Sequence, residues 1–335
     1  MTRATLRDVA AHAGVSYQTV SNVLNDHPSI RPTTRQRVLD AIRTLDYYPN
    51  QAAKALRESR VTTLCCAFYG HSASDISDPY RNLIQSAFVA QSNQSGYDMT
   101  TAFLSHGQPQ SFQTLKSNFL QQRFAGALVV GSNLTSQEVQ MFRDWKMPTV
   151  FFDHTVPALD MPSVTADYAQ GMVQLVTHLA QQGRRRLALI IPKDDQGSTA
   201  AARRESFTQA AEQHGLAHQV VQGDWSYDSG KAAFEALHAG SFAPDAVLAG
   251  NDRMAAGALR AAHRLNVDVP GDVTISGFDD FEFALFTAPT LTTVHVPYGE
   301  MARKAVELLL TEISPGSSQA VQLSLPTQLI IRESA

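Results

Sequence analysis

Tyr17, Gln18, Ser21 and Asn22 are the residues of this sequence whose types and spacing point most directly to recognition chemistry. Val20, Val23 and Leu24 recur among them at helical spacing, so a helix that buries those three displays the four polar side chains on its opposite face. Gln and Asn can each bond an adenine edge through two hydrogen bonds in the major groove of DNA. This is the layout of a recognition helix, although as fold alone it also suits a plain helical hairpin. Catalytic chemistry has less support. The adjacent acids Asp279 and Asp280 lack a nearby base or metal ligands, and no nucleophile elbow, phosphate loop or dinucleotide fingerprint is evident. The 11 histidines fall in no metal-ligand spacing. The chain therefore reads as a non-enzyme, with no cofactor and no structural metal expected.

The elements that must position the four polar residues are legible on either side. Thr5 followed by Asp8 has the form of a helix start, in which a hydroxyl caps free N–H groups and a carboxylate meets the positive end of the dipole. Leu6, Val9, Ala10 and Ala13 make one apolar face, Gly14 suits the left-handed turn that ends this helix, and Ser16 can cap the next. A third helix is predicted from Pro32 to about Leu45, with Val38, Ala41, Ile42 and Leu45 inward and Arg35, Arg37 and Arg43 mostly outward.

Residues 1–60 hold nine Lys or Arg against five Asp or Glu, a balance of +4; the whole chain of 335 residues stands at −4, so the remainder carries −8. A basic head on an acidic body suggests that a polyanion meets only the head. The length predicts two or three globular units. The N-terminal residues do not resemble a signal peptide, and no run approaches the roughly 18 apolar residues of a membrane helix, so a cytoplasmic location with no membrane partner is expected. The two cysteines, Cys65 and Cys66, are adjacent in an apolar stretch and are expected as reduced thiols.

Beyond Arg60, short apolar runs alternate with amphipathic stretches. Strands are predicted at 64–68, 99–103, 127–130, 149–152, 187–191, 246–249 and 273–277, with helices between them such as 80–94, 170–182, 200–214 and 254–265. This alternation implies doubly wound parallel sheets with helices on both faces, and a ligand cleft at the carboxyl ends of the strands.

The stretch TLRDVAAHAGVSYQTVSNVLN, followed by TRQRVLDAIRTLDYYPNQAAKALR, resembles the headpiece and hinge of the lactose/galactose repressor family. The resemblance implies an all-α helix-turn-helix headpiece joined to an α/β periplasmic-binding-protein-like core of two doubly wound parallel-sheet lobes. It places the DNA-binding domain at 1–48, a hinge helix and linker at 49–60, and the effector-binding core at 61–335. Within the core, the first lobe is expected at about 61–160 and 291–320 and the second at about 161–290 and 321–335, with crossings near 160, 290 and 320. DNA contacts are implied for Thr5, Leu6, Ser16, Tyr17, Gln18, Ser21, Asn22, Asn25, Tyr47, Asn50, Ala53 and Leu56. Leu56 takes the place of the family leucine that wedges into the minor groove, where unstacking is offset by the bent DNA it allows. Asn22 stands where some members carry an arginine, which puts a guanine contact there in doubt.

In the core, the resemblance assigns Asp153, Arg203, Trp225, Asn251 and Asp279 to an effector. Asp, Asn and Arg bracket adjacent hydroxyls and an indole covers the apolar face of a sugar, so a small neutral sugar is the expected effector of a repressor of carbohydrate-utilisation genes. The alternative is a purine or phosphorylated-metabolite co-repressor. Val296 replaces a polar cleft residue of the family, a loss that His71, Ser72, Ser74 or His154 can offset. A homodimer on double-stranded operator DNA is expected, because two-fold symmetry doubles the specific contacts and LPTQLIIRESA contains no leucine-heptad tail.

Overall fold

In the computed structural model, which describes residues 4–24, 27–47, 61–71, 75–131, 133–154, 161–193, 198–314, 316 and 320–335, the chain divides into two compact units, Met1–Val61 and Thr62–Ala335. The first begins where Thr5 and Asp8 cap each other. The Thr5 N–H donates to Asp8 Oδ2 at 2.8 Å while the Asp8 N–H donates to Thr5 Oγ1 at 3.3 Å. Helix α1 (Leu6–Ala13) ends at Gly14, whose φ of 60° is the left-handed conformation that favours glycine. Ser16 Oγ accepts from the Thr19 N–H at 3.1 Å and opens α2 (Tyr17–Leu24). Helix α3 (Pro32–Thr44) starts on Pro32, which needs no N–H partner, while the Arg31 side chain makes no capping bond. Val9, Ala10, Ala13, Val20, Val23, Val38 and Ala41 close the core of this unit.

Two sequence expectations change here. Tyr47 is buried in the three-helix core, and Ser21 is buried rather than displayed with Tyr17, Gln18 and Asn22. Ser21 follows Val20 and precedes Val23, near the edge of the apolar stripe, where the packing of α3 decides the side.

The second unit starts with β1 (Thr63–Tyr69), whose two faces are both buried. Leu64, Cys66 and Phe68 pack with Ile84 and Phe88 of α4 (Pro79–Gln94). Cys65, Ala67 and Tyr69 pack with Phe112 and Leu115 of α5 (Pro109–Leu120). A strand apolar at every position must be covered on both sides, and this is the physical origin of the layered arrangement. The strands β2 (Asp98–Leu104), β3 (Ala127–Val130), β4 (Thr149–Phe152), β5 (Ser163–Ala166) and β11 (Gln322–Leu325) join β1 in a parallel sheet of order β11-β5-β4-β3-β1-β2. Helices α6 (Ser136–Asp144) and α11 (Tyr298–Ile313) complete its covering layers.

The second lobe repeats the plan. Strands β6 (Arg186–Ile191), β7 (Ala217–Gln222), β8 (Ala246–Ala249) and β9 (Thr274–Ser276) form a parallel sheet of order β7-β6-β8-β9. Leu187, Leu189 and Ile191 face α7 (Tyr168–Gln181) and α8 (Thr199–Gln213), while Ala188 and Ile190 face α9 (Tyr227–Ala239) and α10 (Asp252–Arg264). A two-stranded antiparallel ribbon pairs β10 (Thr293–His295), which follows β9, with β12 (Gln328–Ile330), the last strand in chain order.

Strand pairing moves the expected lobe boundaries. Residues 163–166 pair with β4, and 322–325 pair with β5, so both segments lie in the first lobe, not the second. The chain leaves the first sheet at Asp167, returns between His295 and Tyr298, and leaves again between Leu325 and Gln328. Each crossing falls about seven residues later than expected. The cause is that β5 (SVTA) and β11 (QLSL) are four-residue strands of mixed polarity, placed only by backbone pairing: β5 by β4, and β11 by β5 across more than 150 residues of sequence.

Candidate functional site

On α2, Tyr17 is 45% exposed, Gln18 is exposed and Asn22 is half-buried. Gln18 Nε2 donates to Asn22 Oδ1 at 3.0 Å, one turn apart, so the two amides form a joined polar surface. Thr5 and Ser16 sit at helix starts with their hydroxyls spent on capping, and Leu6 packs partly into the core. Asn25, Asn50, Ala53 and Leu56 lie outside the described residues, as do Ser72 and Ser74.

In the second unit, the five effector candidates converge through a chain of contacts. Asp153 ends β4, Asp279 follows β9, Arg203 lies on α8, and Asn251 caps α10, with Oδ1 accepting from the Met254 N–H at 2.8 Å and Nδ2 donating to the Trp225 carbonyl at 3.1 Å. Strand-to-helix turns therefore deliver them to the carboxyl ends of the strands, where doubly wound folds bind ligands. Three of the five take backbone conformations with positive φ: Asp153 at 57°, Trp225 at 70° and Asp279 at 108°. Such strain in non-glycine residues is retained where the surrounding contacts over-determine it.

The arginine organises the cluster. It is 4% exposed, and its guanidinium donates to the Gly250 carbonyl at 2.6 Å and to the Thr199 carbonyl and hydroxyl at 3.1 Å each. The same group lies over the rings of Tyr168 at 4.6 Å, Trp225 at 4.9 Å and Phe278 at 5.0 Å. Its Nη1 is 3.8 Å from Asp279 Oδ1. Burial pushes the Asp279 carboxyl up to about 7, with Arg203 and the Tyr298 hydroxyl pulling the other way. Burial likewise raises Asp153, whose two oxygens accept from Tyr80 at 2.6 Å and Tyr168 at 2.7 Å. The Tyr298 hydroxyl donates to Asp279 Oδ1 at 2.9 Å.

Asp252, next to Asn251, is completely buried and is braced from within: the Thr293 hydroxyl and the Phe281 N–H each donate to it. It ties α10 to the ribbon. Val296 is buried, and so is His154. His71 pairs with Asp78 at 2.8 Å and stacks on Tyr80 with ring centroids 5.6 Å apart. Among the described residues, no group of three His, Cys, Asp or Glu is arranged to hold a metal, and no helix is long and apolar enough to cross a membrane.

Residues 5–50 match the bacterial regulatory proteins of the lacI family, and residues 176–335 match the periplasmic binding protein-like domain. The HTH-type transcriptional regulator GalR of Lacticaseibacillus casei is 30% identical, covering 99% of each chain. The chain belongs to the lacI family. Among solved structures, the lac repressor dimer bound to operator and an anti-inducer superposes with a TM-score of 0.86 at 26% identity over 99% of both chains. The CelR regulator in complex with cellobiose gives 0.74 at 29% identity, over 99% of this chain and 100% of that one. The protein is accordingly a DNA-binding transcriptional regulator rather than an enzyme, with the helix-turn-helix and binding-protein-like core that its residues imply.

Three residues of the regulator's cluster escaped the sequence reading: Tyr80, Tyr168 and Tyr298. Each stands at the first or second position of a helix, directly after Asp78-Pro79, Asp167 and Pro297. An aromatic hydroxyl placed just past a strand-to-helix turn is the signal that could have found them, because that turn points at the cleft. Arg253, in the first turn of α10, also reaches the other lobe, with Nη1 3.5 Å from Asp75 Oδ2 and Nη2 donating to Ser77 Oγ at 3.0 Å.

Proposed function

We infer that this regulator acts in the cytoplasm as a homodimer on a near-palindromic operator and that a small neutral carbohydrate, bound between the lobes, changes its operator affinity. The observation that carries the effector reading is the convergence of Asp153, Arg203, Asn251 and Asp279, all buried, with the partly buried Trp225 on one cluster at the strand ends. Carboxylates, an amide and an indole suit a polyol better than an anion. The arginine's charge is already bracketed by Gly250, Thr199 and Asp279, so a phosphate or carboxylate effector finds two buried acids rather than a free cation. The cellobiose bound by CelR is an effector of this chemical class.

The DNA reading rests on α2, with Tyr17, Gln18 and Asn22 as base-edge contacts and with hinge residues Asn50, Ala53 and Leu56 in the minor groove. The homodimer reading draws support from the lac repressor dimer, and from Leu285 and Phe286, which are 51% and 74% exposed on one short helical turn that a second copy would cover.

A thermal-shift screen of the full chain against sugars, sugar phosphates and nucleobases tests the effector class. Stabilisation by a neutral sugar supports it; stabilisation confined to phosphates or nucleobases overturns it.

A further inference from the structure

Asp153 and Asp279 are 4% and 6% exposed, and neither is left without donors. Both oxygens of Asp153 hold phenolic hydroxyls, from Tyr80 of α4 and Tyr168 of α7. Asp279, which belongs to the second lobe, holds the hydroxyl of Tyr298, which opens α11 of the first. The distances, 2.6 to 2.9 Å, are those a sugar hydroxyl would adopt on the same carboxylates. The rings carrying the hydroxyls are themselves fixed. Tyr80 meets Tyr298 edge-on with centroids 5.4 Å apart, Tyr298 stacks on Phe281 at 6.3 Å, and Tyr168 packs against Phe278 at 5.8 Å. A phenol anchored by its ring loses little entropy in donating this bond, so it is a strong competitor for the carboxylate.

Resting on the effector reading above, the geometry points to Tyr298 as a specificity-determining residue: its hydroxyl occupies on Asp279 the place of an effector hydroxyl, and a sugar binds only by displacing it. Tyr80 does the same on Asp153. A ligand that offers one weak donor gains nothing from the exchange, because one hydrogen bond is traded for another. A ligand with adjacent hydroxyls can replace the phenol and still bond Arg203 or Asn251. The tyrosine hydroxyls thus set a threshold that selects polyols.

The test is isothermal calorimetry of the full-length wild type, Tyr298→Phe and Tyr80→Phe with cellobiose, ribose and galactose. Phenylalanine keeps the ring contacts and deletes only the competing hydroxyl. For whichever of these sugars binds the wild type, Tyr298→Phe is expected to lower Kd about ten-fold, which corresponds to about 1.4 kcal/mol, and Tyr80→Phe to lower it in the same direction. An unchanged or higher Kd in both variants overturns the inference while leaving the effector reading intact, since the wild type still binds. If none of these three binds, the neutral sugar that stabilises the wild type in the thermal-shift screen is titrated in their place, and the absence of any such sugar overturns the effector reading and this inference with it. A melting curve of each variant reports folding, and if one variant unfolds early the other decides the result.

Discussion

Arg203 joins a bracing role and an electrostatic one in a single group. Its guanidinium satisfies the Gly250 carbonyl, and it is also the cation beside Asp279. Arg203→Ala is expected to weaken sugar binding ten-fold or more, on the order of 1.5 to 3 kcal/mol for lost charge-assisted bonds. It should also lower the melting temperature, because a buried carbonyl loses its donor and two buried acids lose their compensating charge. Calorimetry and a melting curve on the same preparation separate the two effects. If sugar affinity survives while only stability falls, Arg203 is a brace and not a ligand contact.

Asp279 predicts a pH dependence with a definite sign. Its folded carboxyl titrates at about 7 against an ordinary value of 3.8, so the folded state holds a proton that the unfolded chain releases earlier. Its contribution to stability is therefore complete below pH 3.8 and is lost as pH rises through about 7. Burial raises Asp153 and Asp252 in the same sense. Melting temperature measured from pH 5 to 8 should decline less steeply in Asp279→Asn than in the wild type; parallel curves would show that Asp279 does not titrate in this range.

At the scale of elements, α9 and α10 approach so closely that side chains are excluded at the crossing. A Cβ on Gly257 would collide with the Tyr227 carbonyl, and one on Gly230 with the Met254 backbone. Gly257→Val should cost at least about 1 to 3 kcal/mol as overpacking, read as a lower urea midpoint at unchanged slope. An unchanged midpoint would mean the helices separate freely. The elements read most accurately from sequence were those with one-sided or continuous apolar patterns. Strands 127–130, 149–152 and 246–249 were placed to the residue, and the capping box at Thr5 and the turn at Gly14 marked α1 at both ends. Strand β7 was missed because AHQVVQ lies at the sheet edge with its side chains largely exposed, and an edge strand carries little apolar signal. The ribbon β10–β12 was missed because three-residue strands owe their pairing to distant partners, as in Val294 opposite Leu329.

For the whole molecule, the homodimer and the hinge make linked expectations. Light scattering at micromolar concentration should show twice the chain mass of 36.5 kDa; a stable monomer or tetramer would contradict it. Leu56→Ala should weaken binding to the operator while leaving affinity for random DNA nearly unchanged, since phosphate contacts persist when a minor-groove wedge is removed. Equal loss on both DNAs, titrated at fixed salt, would assign Leu56 to folding.

Local order along the chain determined the headpiece and the β/α alternation, because caps and periodicity act over a few residues, whereas the candidates Asp153, Arg203, Trp225, Asn251 and Asp279 came from the resemblance to the lactose/galactose repressor family. Only the tertiary structure decided that Ser21 and Tyr47 turn inward, that β5 and β11 belong to the first lobe, and that three tyrosines satisfy the two acids. The tyrosine contacts span 15 residues for Tyr168 on Asp153, 19 for Tyr298 on Asp279 and 73 for Tyr80 on Asp153, all beyond the few residues over which caps and periodicity act, so none leaves a pattern in either neighbourhood alone.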